Sequence, residues 1–76
     1  MNKIMFFAHL RDTVGAESIM LNVTNKTVAE LRRIISDKYN TDLETVMVAI
    51  NEEFAEDEEL INEGDAVAFI PPVSGG

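Results

Sequence analysis

Between Val28 and Tyr39 the apolar positions fall at Val28, Leu31, Ile34, Ile35 and Tyr39, with Glu30, Arg32, Arg33, Asp37 and Lys38 among them. That spacing gathers the apolar side chains on one stripe of an α-helix. Thr27-Val28-Ala29-Glu30 ahead of the stripe has the form of a capping box, in which the Thr hydroxyl and the Glu carboxylate each satisfy a backbone N–H of the first turn. Asn40 tolerates the left-handed conformation that closes a helix. The pattern predicts one amphipathic helix over 28–39.

On either side of it the period is two. Residues 2–8 (NKIMFFA) and 18–23 (SIMLNV) read as strands, the second with Ile19, Leu21 and Val23 on one face. The segment HLRDTVGAE between them reads as a hairpin connection, with His9 in the loop. Residues 46–50 (VMVAI) form a third strand, NEE a turn, and a short strand around Phe54 follows. Leu60 and Ile61 are expected to plug the underside of a long acidic connection. Gly64-Asp65 marks a turn before a last strand, Ala66 to Ile70, which Pro71 and Pro72 stop because neither donates a ladder hydrogen bond. The order β-β-α-β-(β)-β predicts an α+β fold: a mixed sheet of four to five strands with one main helix packed on one face. The last strand is expected beside the first, putting the chain's end at one edge of the sheet. One domain, 1–70, would then carry an extended, flexible tail, 71–76.

Strand parity leaves a remainder. If Ile4, Phe6, Ala8, Val48, Ile50, Val67 and Phe69 face the helix, then Met5, Phe7, Met47, Ala49, Ala68 and Ile70 face away. Nothing else in the chain is predicted to cover them, and a contiguous exposed apolar patch marks a partner site.

Charge and composition narrow the function. The 76 residues carry 14 acids against 6 bases, a net charge of −8 that a nucleic-acid backbone would repel. Eight of the acids lie between Glu52 and Asp65 with no base among them. They lack the ligand alternation and central Gly of an EF-hand loop, so they read as a solvated face that steers a basic partner, and no metal is expected. There is no cysteine, which removes disulfides, thiolate metal sites and cysteine nucleophiles. The apolar run after Lys3 is five residues long, too short for a signal peptide or a membrane span, and a cytoplasmic location is expected. No GxxxxGK[ST] or GxGxxG occurs, and no partners at triad spacing accompany His9. Arg11 reads as an ordinary surface residue or as a partner for a carboxylate on another protein. Nothing here suits an enzyme acting alone.

The end of the chain offers chemistry of another kind. Pro71 and Pro72 favour an extended polyproline path, along which six residues reach roughly 19 Å. Gly75 and Gly76 have no Cβ, so their backbone can enter a narrow channel and approach a reactant closely. A carboxylate at Gly76 is a poor electrophile until activated, typically as a mixed anhydride with AMP. Its acyl group can then pass to sulfur or nitrogen.

The stretches FFAHLRDTVG, TVAELRRII, VAINEEF and above all INEGDAVAFIPPVSGG resemble, across the whole chain, the family of molybdopterin synthase small subunits. These are sulfur carriers with a ubiquitin-like β-grasp fold, related to the ThiS-like proteins. The resemblance implies that Gly76 is adenylated with ATP by a separate activating enzyme akin to ubiquitin-activating enzymes. A sulfur-donor protein would then let it become a thiocarboxylate. Pro71, Pro72, Val73, Ser74 and Gly75 would thread it into the large synthase subunit, where sulfur passes to cyclic pyranopterin monophosphate in molybdenum cofactor biosynthesis. The resemblance further implies a heterotetramer of two small and two large subunits. Catalytic side chains would lie on the large subunit, and ATP would be consumed by the activating enzyme with no cofactor held permanently here. Met5, Phe7, Arg11, Met47, Ala49, Ala68 and Ile70 would form the partner interface, with Phe7 and Ile70 as anchors. Competing readings are the related sulfur carrier of thiamine thiazole synthesis, a ubiquitin-like modifier that forms an isopeptide with a target lysine, and a binding module that merely ends in Gly-Gly.

Overall fold

The computed structural model of the chain describes residues 1–72. Seven elements follow one another: β1 (Asn2–Phe6), α1 (Leu10–Val14), β2 (Ser18–Leu21), α2 (Val28–Tyr39), β3 (Met47–Ile50), β4 (Glu53–Ala55) and β5 (Ala66–Ile70). The strands form one sheet in the order β2-β1-β5-β3-β4, with β1 and β5 parallel and the other pairs antiparallel.

Helix α2 has the bounds its sequence pattern predicts. Thr27 Oγ1 accepts from the Glu30 N–H at 3.2 Å, while Glu30 Oε1 accepts from the Thr27 N–H at 3.0 Å. Asn40 closes the helix at φ 50°. Val28, Leu31 and Ile35 are buried with Ile4, Phe6, Val48, Val67 and Phe69, so the core lies between α2 and one face of the sheet. Phe6 stacks on Phe69 with ring centroids 5.9 Å apart and meets Tyr39 edge-on at 6.2 Å. Arg32, at the margin of this helix, donates to the carbonyls of Leu43 and Val46 and pairs with Asp57 at 3.2 Å. It thereby ties α2 to the loops on both sides of β3 and β4.

Several expectations need correction. The β1–β2 connection is not a plain hairpin loop but holds the short helix α1, closed by Gly15 at φ 84°. Leu10 is buried beneath it, which fixes an otherwise polar segment to the core. β1 ends at Phe6, not residue 8, and Ala8 is exposed rather than inward; its φ of 53° turns the chain out of the strand. β5 is the central strand, not an edge, so the chain leaves from the middle of one end of the sheet. Of the two residues expected to plug the acidic connection, Ile61 is buried, but Leu60 is 58% exposed. The Ile61 N–H donates to the Lys26 carbonyl, and the Asn25 N–H donates to the Ile61 carbonyl. Consecutive side chains on such an extended segment point opposite ways.

The β3–β4 turn is a two-residue loop, Asn51-Glu52, with φ of 50° and 72°. Positive φ at both positions matches the twist of a hairpin. The Asn51 side chain extends the ladder: Oδ1 accepts from the Ala66 N–H at 3.0 Å and Nδ2 donates to Asp65 at 2.9 Å.

Candidate functional site

Two rows of side chains dominate the sheet face away from α2, and a third, with Lys3 opposite Met20 and Ala66, lies beyond them. Cross-strand partners share a face, and the registers Met5↔Ser18, Met5↔Ala68, Ala68↔Ala49 and Ala49↔Phe54 align one residue from each of the five strands. At about 4.8 Å between strands this row is roughly 19 Å wide. The next row holds Met47 opposite Ile70. Phe7 continues it one step past the Phe6↔Phe69 pair, where its N–H donates to the Phe69 carbonyl at 3.2 Å.

The rows have relief. Ala49 and Ala68 are buried, because their small side chains form a floor between larger neighbours. Phe7 is 43% exposed, Met47 44% and Phe54 69%, with Met5 and Ile70 half-buried. The result is an apolar trough with aromatic and methionine walls. Phe54 was missing from the residues expected here, although it is the most exposed large apolar side chain among those described. Its strand has only three residues, too few to show a period. The signal that places it is the register of β4 on β3.

Charge is divided across the face. Lys3, Arg11 and Glu17 border a shallow depression beside Met5 and Phe7. Arg11 stands on α1 and lies 3.6 Å from Glu17, a pair so exposed that it leaves the guanidinium available to another carboxylate. On the opposite flank β4 leads into the acids Glu56 to Glu59. Among the described residues no group of three His, Cys, Asp or Glu side chains is arranged to hold a metal ion. Among the described residues no helix is long and apolar enough to cross a membrane.

β5 delivers the chain from this face toward its end. Ile70 is the last ladder residue, Pro71 is buried against the domain and Pro72 is exposed. Pro71 therefore packs with the domain, although the sequence placed it in the tail of 71–76. Val73, Ser74, Gly75 and Gly76 lie outside the described residues.

The model of the ThiS family matches residues 4–76. The chain belongs to the ThiS family. It is 35% identical over its full length to the molybdopterin synthase sulfur carrier subunit of Escherichia coli, and the match covers all of both chains. The crystal structure of SAMP1 from Haloferax volcanii matches with a TM-score of 0.81 at 25% identity, over 99% of this chain and 98% of that one. A complex of subunits 1 and 2 of molybdopterin-converting factor from Helicobacter pylori contains a chain of the same fold, with a TM-score of 0.70 at 22% identity and 99% and 97% coverage. The fold is thus the ubiquitin-like β-grasp, a five-stranded mixed sheet crossed by one main helix. In this ThiS-family chain the trough and the chain's exit are adjacent: Phe7, Ile70 and Met47 form the end row of the sheet, immediately before Pro71.

Proposed function

We propose that this protein is the sulfur carrier subunit of a molybdopterin synthase and that the outer sheet face is its docking surface for the large subunit. The observation that carries the reading is the place of Ile70, which is at once a wall of the trough and the last ladder residue before the tail. A partner that covers the trough holds the start of the tail at a fixed point. The residues beyond Pro71 then need only a channel, and two residues without Cβ atoms suit a narrow one.

The chemistry proposed for Gly76 follows from its carboxylate. An activating enzyme brings the carboxylate oxygen onto the α-phosphate of ATP, and pyrophosphate leaves. Sulfur supplied by a donor protein at the sulfide level then attacks the acyl carbon and AMP leaves, which produces the thiocarboxylate. In the large subunit this sulfur forms a bond to cyclic pyranopterin monophosphate, and water then cleaves the acyl–sulfur bond, so that the sulfur stays on the pterin and Gly76 returns to a carboxylate. Catalytic side chains belong to the large subunit, the assembly is two small and two large subunits, and the protein works in the cytoplasm. With no thiol of its own, the chain offers no internal nucleophile to intercept the activated acyl group as a thioester.

A modifier reading has one observation in its favour, the fold match to SAMP1, a small archaeal modifier protein. Intact mass after incubation with the activating enzyme, ATP and a sulfur source separates the two. Exchange of oxygen for sulfur on the free protein supports the carrier. Higher-mass conjugates to lysine support the modifier, and an unchanged mass counts against both.

A further inference from the structure

The chain has four methionines and no cysteine, so its oxidisable side-chain sulfur is thioether only. Three of the four stand on the outer face. Met5 lies beside Ala68 in the central row, Met47 opposite Ile70, and Met20 opposite Lys3 in the row beyond. Met47 and Met20 are 44% and 57% exposed, and no methionine belongs to the core beneath α2. Flexible thioethers suit a face that must fit another protein's surface. They also make that face chemically alterable.

We propose that Met5, Met20 and Met47 are a modification site, and that their oxidation by hydrogen peroxide to sulfoxides weakens docking of the large subunit and so gates sulfur transfer. This rests on the docking reading above. In the step, a thioether lone pair attacks one peroxide oxygen, the O–O bond breaks, an S–O bond forms and the other oxygen leaves as water. Sulfur gives up two electrons and peroxide takes them. The product places a strongly polar S–O group where docking removes water, and an apolar counter-surface offers it no hydrogen bond. Because the core contains no methionine, the same oxidation leaves the packing of Phe6, Phe69 and α2 untouched. The effect therefore falls on association and not on folding, and methionine sulfoxide reductases reverse it.

The test titrates the large subunit with the protein in its carboxylate form, before and after peroxide treatment, with peptide mass mapping of the oxidised methionines. Oxidation at all three positions is expected to raise Kd by about tenfold or more, with the circular dichroism of the fold retained and tight binding restored by a reductase. A triple variant, Met5→Leu, Met20→Leu and Met47→Leu, is compared with its own untreated form and is expected to show no change. An unchanged Kd for the oxidised protein, unfolding on oxidation, or a loss of binding that persists in the triple variant overturns the proposal. If untreated protein fails to bind the large subunit, the docking reading falls and this proposal falls with it. Binding that ignores oxidation removes this proposal alone.

Discussion

Ile70 stands directly opposite Met47 across β5 and β3, at the final ladder position before the two prolines. One residue pair thus belongs both to the apolar trough and to the point where the chain departs. In the proposed reading, docking and delivery are coupled by covalent continuity over a single peptide bond, from Ile70 to Pro71. A partner that recognises the trough needs no separate device to find the tail.

Phe54 gives the most direct test of the trough. It is 69% exposed, so Phe54→Arg should change folding stability little, within about 0.5 kcal/mol. Truncating or charging an aromatic hot spot at an interface costs about 2 kcal/mol or more, roughly thirtyfold in Kd. Calorimetric titration with the large subunit alongside a thermal melt should therefore separate the effects: weakened binding with an unchanged Tm. Unchanged binding would move the interface off β4.

Among the described residues Asn2 is the buried polar one, and its side chain ties β1 to two segments distant in sequence. Nδ2 donates to the carbonyls of Asn62 and Asp65 at 2.9 and 3.1 Å, and Oδ1 accepts from the Val23 N–H at 3.1 Å. Asn2→Ala strands those groups, at about 2–3 kcal/mol. For a domain of this size that corresponds to a Tm lowered by roughly 10–20 °C. A shift under a few degrees would mean that water replaces the amide.

Glu30 makes helix stability depend on pH. Hydrogen bonds from the Thr27 backbone N–H, and then from the Thr27 hydroxyl, hold its carboxyl below the ordinary carboxylate range. The fold thus favours the ionised form. The contribution is present above the unfolded-state pKa and is lost as pH falls through the lower, folded-state value. Glu30→Gln keeps an acceptor but cannot titrate. Denaturation of both proteins at neutral pH and at about pH 3 should show the wild type losing more stability than the variant. Equal losses would remove Glu30 from the account.

Legibility in the sequence followed the range of the interactions. Helix α2 is set by contacts within four residues, so Thr27, Glu30 and the apolar stripe displayed it fully, and β5 was bracketed by Gly64 and Pro71. The outer-face positions from Met5 to Ile70 followed from parity alone. Helix α1 has five residues and a single buried one, Leu10, too little to show a period. Phe54 and Asn2 escaped because what defines them is pairing with residues elsewhere: Ala49 for the first, Asn62 and Val23 for the second. The central position of β5 is likewise a property of strand order, which local pattern does not encode.

The central claim, that Gly76 carries the sulfur, is tested most directly in a single turnover. Protein bearing the thiocarboxylate is mixed with the large subunit and cyclic pyranopterin monophosphate, with no other sulfur source present, and product and protein mass are followed together. The account predicts that dithiolene product appears as the thiocarboxylate reverts to carboxylate, and that a folded variant lacking Gly76 yields none. Product formation by that variant, or a thiocarboxylate that persists in the complete mixture, would contradict it.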